Sequence, residues 1–79
     1  MRIYIDRDET SQLGQLRYVV SARGKEVFRR SVTGKIAAIR TARSLAVRGN
    51  VEQIFVLGQL VDASEDAMTN AMEKGKYEY

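Results

Sequence analysis

One compact stretch, Leu16 to Asp62, most constrains what this chain can become. It reads strand from Leu16 to Ala22, tight turn at Arg23-Gly24, strand from Glu26 to Val32, helix from Gly34 to Arg48, then strand from Val51 to Leu57. Leu16, Tyr18 and Val20 alternate with Arg17, Val19 and Ser21, which is the period of a half-buried strand. A three-residue loop Ala22-Arg23-Gly24, with Gly as its left-handed residue, sets Ser21 opposite Lys25 and Tyr18 opposite Phe28. One face then gathers Leu16, Tyr18, Val20, Phe28 and Val32. The other carries Arg17, Val19, Val27 and Arg29. A two-residue loop would pair Tyr18 with Arg29 and mix the two sets, because a one-residue slip exchanges faces.

Thr33 is the expected N-cap of the helix. Ile36, Ile39, Ala42 and Ala46 form its apolar stripe, with Ala38 and Leu45 at the margin. Gly49 is the expected left-handed stop, and Arg48 in the last turn complements the helix dipole. Val51 to Leu57 is rich in β-branched and aromatic residues and reads as a buried strand ended by Gly58. Upstream, Ile3 and Ile5 share one face of a short strand and Tyr4 takes the other; Asp6 to Gly14 reads as a loop. Downstream, Asp62 with Glu65 reads as a capping box for a short helix. That helix carries Ala67, Met68, Ala71 and Met72 on one side and ends at Gly75, and Tyr77 and Tyr79 sit in a tail. Met68 and Met72 read as core. The fold expected is α+β: a mostly antiparallel four-stranded sheet, one main helix on one face and a short C-terminal helix, in a single domain of residues 1–79.

With 79 residues, a domain buries only about 60% of its unfolded surface, so the core is thin and a monomer or a homodimer is compatible with it. His, Cys and Trp are absent. That removes disulfides and thiolate metal sites, and also the usual general base and metal ligand. A Ser or Thr nucleophile would need a Lys base, and no local pattern supplies one. The expectation is no enzyme, no cofactor and no metal. The apolar runs are short, such as Ile54 to Leu57, far below a membrane span. The start at Arg2 is unlike a signal peptide, and a cytoplasmic location is expected.

Three clusters could carry chemistry. Asp6, Asp8 and Glu9 offer oxygen ligands for a hard cation, but the spacing fits no EF-hand, and a solvated turn is the simpler reading. Thr33-Gly34-Lys35 precedes a helix, where phosphate can bind. The P-loop pattern would then place Gly at position 29 and Ser or Thr at 36; the chain has Arg29 and Ile36. The third cluster is basic. Arg17, Lys25, Arg29 and Arg30 lie on the hairpin, and Arg40, Arg43 and Arg48 lie on the helix. The net charge is +3, compatible with a negatively charged partner or with an ordinary solvated surface. Sheets that read single-stranded nucleic acid present stacking aromatics, whereas the expected open face offers Val19, Val27 and Tyr4. Arg17, Lys25, Arg29, Arg40 and Arg43 are therefore the candidate partner-binding residues, with a protein partner ahead of nucleic acid.

Tyr18 and Val20, Arg23-Gly24-Lys25, Val27 and Arg30 open a pattern that continues through Gly34, Ala38, Ala42, Ala46 and Gly49. Val56-Leu57-Gly58 and Val61 close it. In this layout the chain resembles a small bacterial domain family of unknown function whose members read hairpin, helix, strand. It more closely resembles small phage-encoded anti-CRISPR proteins of type I-F. The likeness covers just over half the chain and rests on fold residues, so no functional residue transfers. It implies a small inhibitor, in the host cytoplasm, that binds a protein subunit of a type I CRISPR effector complex. The basic charge argues against mimicry of DNA. The alternatives from the residues are a nucleic-acid-binding accessory protein and a dimeric bacterial module.

Overall fold

The computed structural model describes residues 1–9 and 16–76. The elements are β1 (Arg2–Arg7), β2 (Arg17–Arg23), β3 (Val27–Thr33), α1 (Lys35–Gly49), β4 (Gln53–Val56), β5 (Gln59–Asp62) and α2 (Glu65–Lys76). The class is α+β, but the sheet has five strands rather than four and is mixed. Its order is β3-β2-β1-β4-β5, with β1 parallel to β4 and the other neighbours antiparallel. The additional strand is β5. Leu57 and Gly58 turn back directly after β4 with φ of 50° and 84°, the double left-handed geometry of a two-residue hairpin. Gly58 therefore turns the chain into a further strand instead of ending the sheet.

Both helices pack on one side of the sheet. Ile3, Ile5, Tyr18, Val20, Ala22, Ile54 and Val56 meet Ala38, Ile39, Ala42, Leu45 and Ala46 of α1 and Met68, Ala71 and Met72 of α2. Small residues on α1 let its backbone approach the sheet, and the two methionines fill the seam beside it. Among the described residues, no helix or further strand covers the other side of the sheet, called the open side below.

Several local expectations are corrected. The hairpin ladder runs from Arg17↔Thr33 to Arg23↔Val27, so the loop is Gly24-Lys25-Glu26 and Tyr18 faces Val32. The shift keeps the parity of every pair, and the two faces therefore stand as expected while the ladder gains length. Thr33 is the last residue of β3, and Gly34 occupies the helix N-cap with no side-chain cap bond. Asn50, with φ 53° and ψ 46°, is the left-handed C-cap, while Gly49 is helical. Ile36 is 65% exposed and lies off the buried stripe. Asp62 belongs to β5. Ser64 caps α2 instead, its Oγ accepting from the Ala67 N–H at 3.2 Å, and α2 runs past Gly75 to Lys76. Strand β1 continues through Arg7 into the stretch expected to be loop. The rest of that loop beyond residue 9, and the tail tyrosines, lie outside the described residues.

Candidate functional site

On the open side, one row crosses all five strands. Registers pair Arg29 with Ser21, Ser21 with Tyr4, Tyr4 with Phe55, and Phe55 with Leu60. Paired residues point the same way, so the five side chains stand in line on the solvent side. The rings of Tyr4 and Phe55 stack at the centre of the row, 5.1 Å between centroids and 14° between planes. Neighbouring strands lie about 4.8 Å apart, so the parallel register alone brings two outward aromatics face to face. Around this pair lie Val19 opposite Asp6, and Arg23 opposite both Arg2 and Val27. A shallow depression of about 360 Å³ opens between Tyr4, Asp6, Val19, Ser21, Arg23 and Arg29. Leu60 is 49% exposed and Val27 81% exposed.

Among the candidates from sequence, Arg17 and Arg29 do lie on this face. Arg17 starts β2, and its Nη2 donates to Ser31 Oγ at 3.4 Å; the Ser31 hydroxyl in turn donates to the Asp8 carboxylate. This chain of polar contacts orders one corner of the face. Lys25 stands exposed in the hairpin loop, at the other end of β2 from Arg17 and about 20 Å away at strand rise, so it does not join Arg17 in one cluster. Arg40 is on the opposite side of the sheet, in a groove with Arg30 and Arg48. Arg43 donates to the Ala63 carbonyl, tying α1 to the start of α2. The five candidates therefore fall in separate places, and the open face holds two of them.

Phe55, Arg23 and Leu60 were missed. Phe55 lies in a continuous apolar run that reads as buried on both sides, and only its register with Tyr4 turns it into a surface residue. Among the described residues, no group of three or more carboxylates converges as a cation site; Asp8 is engaged by Ser31. No described helix is long and apolar enough to cross a membrane. The arrangement presents an aromatic and aliphatic centre with guanidiniums beside it. No family model, curated protein or solved structure matches this chain.

Proposed function

We propose that the chain is a small non-enzymatic protein-binding module that docks through the open face of its sheet. The partner we propose is a protein subunit of a type I CRISPR effector complex, inhibited by occlusion of its surface or by blocking a conformational change. The observation that carries the binding reading is the stacked Tyr4–Phe55 pair, with Leu60 and Val19 near it and Arg17, Arg23 and Arg29 around it. Aromatic residues and arginine are enriched in protein interfaces, with apolar residues at the centre and polar ones outside. The choice of effector partner rests on the likeness of layout described above.

A second reading has its own support. Outward aromatics on a basic sheet are also the platform on which single-stranded nucleic acid stacks. The two readings separate on salt. Phosphate contacts lose affinity steeply between roughly 50 and 200 mM salt, whereas a face built on apolar burial keeps most of it. Binding to purified type I-F effector complex and to generic DNA and RNA is measured across that range. The expected result is effector binding that persists at the higher salt, with weak and salt-sensitive binding to nucleic acid. Tight, salt-sensitive nucleic-acid binding without effector binding would replace the first reading by the second.

A further inference from the structure

Strand β3 ends the sheet on one side, and among the described residues no strand lies along its outer edge. It is seven residues long, longer than exposed edges usually are, and an open edge pairs readily with another chain. At its middle stand two consecutive arginines. Arg29 shares the open face with Ser21, and Arg30, in register with Val20, projects to the helix side. There its guanidinium lies 5.5 Å from the centre of the Phe28 ring. Beyond it a groove of about 280 Å³ runs between β3 and α1, walled by Arg30, Arg40 and Arg48 with Phe28, Ser44 and Leu45. No carboxylate lines this groove. Among the described residues, none of Arg29, Arg30, Arg40 and Arg48 has an ion-pair partner. Arg40 and Arg48 are two helical turns apart, about 12 Å along α1, so positive charge follows the groove over a length that suits an extended ligand better than a single small anion.

The charges also choose among occupants of the edge. In an antiparallel pairing of two copies centred on β3, Arg30 would face Arg30, and like charges directly opposite are destabilising. A nucleic-acid strand could meet the guanidiniums but has no amide and carbonyl ladder to continue the sheet. An acidic polypeptide satisfies both: main-chain hydrogen bonds give the affinity and side chains on alternating faces give the selection. We propose that the β3 edge takes an extended acidic segment of a partner protein as a sixth strand, two consecutive acidic residues sitting opposite Arg29 and Arg30. One of them enters the groove toward Arg40 and Arg48; the other lies over the open face. This site rests on the reading of the chain as a protein-binding module and adds to it a second surface and the chemistry of its ligand.

The test is an NMR titration of the full chain with the end-blocked peptide Val-Thr-Val-Glu-Glu-Val-Thr-Val, beside the same peptide with Lys-Lys at its centre. The acidic peptide should shift the β3 amides and protect them from exchange, and the Lys-Lys peptide should bind about tenfold more weakly, the scale of a few cross-strand charge pairs turned from attraction to repulsion. The double variant Arg29→Glu with Arg30→Glu should reverse that preference, a gain that unfolding cannot imitate. N-methylation of alternate peptide amides should abolish binding. Equal binding of both peptides, no binding of either, indifference to N-methylation, or an oligothymidylate that perturbs Arg30, Arg40 and Arg48 more than the acidic peptide does would each overturn the proposal. Peptide shifts confined to Tyr4 and Phe55 would remove this site and leave the open-face reading standing. Peptide binding at β3 without effector binding would do the opposite.

Discussion

Gly34 joins β3 to α1 with φ 88° and ψ 151°, a region that only glycine occupies without strain. The geometry is held from both sides: the Gly34 N–H donates to the Leu16 carbonyl at 2.7 Å, and its own carbonyl accepts from Ala38 at 3.3 Å. A methyl group there would meet nothing within 4 Å, so the cost of Gly34→Ala is conformational rather than steric. That cost should be about 1–3 kcal/mol, read as a lowered urea midpoint with an unchanged slope. Wild-type stability in that variant would mean that the joint has a different backbone conformation. Leu57 shows the same logic in a residue less suited to it. Its left-handed φ of 50° is sustained by an N–H bond to Ile5 at 2.8 Å and by packing of the half-buried side chain against the core.

At the scale of elements, the rotation of α1 decides which isoleucine matters. Both Ile36 and Ile39 fit a sequence stripe, yet Ile36 is 65% exposed and Ile39 only 6%. Ile36 shares a side of the helix with Arg40, Arg43 and Val47, all exposed, and lies about a third of a turn away from the centre of the buried stripe Ala38, Ile39, Ala42, Leu45 and Ala46. Ile39→Ala should therefore cost about 2–5 kcal/mol, while Ile36→Ala should stay within about 0.5 kcal/mol. Chemical denaturation of the two variants in parallel checks the rotation, and equal losses would show the helix turned toward Ile36. The stripe Ile39, Ala42, Ala46 was legible because a helix carries its period in consecutive residues. Strand β5 was not. Leu57-Gly58 lacks the Asn or Asp that usually announces a two-residue hairpin, and Asp62 with Glu65 imitates a helix start. The hairpin faces survived a misplaced loop because the shift was even.

For the whole molecule, the sequence conveyed an α+β layering of helices on one side of a sheet but not which residues meet on the outer side of the sheet. Arg17 and Arg29 could be assigned to that face from the alternation of one hairpin. The Tyr4–Phe55 pair could not, because it arises from a parallel pairing of strands 51 residues apart in the chain, counted from Tyr4 to Phe55 in the register. Lys25, Arg40 and Arg43 were grouped with the two arginines by charge alone, and the fold distributes them to a loop, a groove and a helix-to-helix tie. This separation makes the candidate residues distinguishable by substitution. Arg17→Glu with Arg29→Glu changes the open face and should weaken effector binding while the far-UV spectrum and cooperative unfolding persist. Arg43→Glu should act on stability instead. It removes the donor to the Ala63 carbonyl and should cost about 0.5–1.5 kcal/mol, the net worth of one hydrogen bond, with effector binding by the folded fraction unchanged. Retained binding in the Arg17 and Arg29 double variant, together with lost binding in a folded Arg40→Glu variant, would move the docking surface from the open sheet to the groove beside α1. The partner would then have to be sought by its acidity rather than by its fit to the aromatic pair.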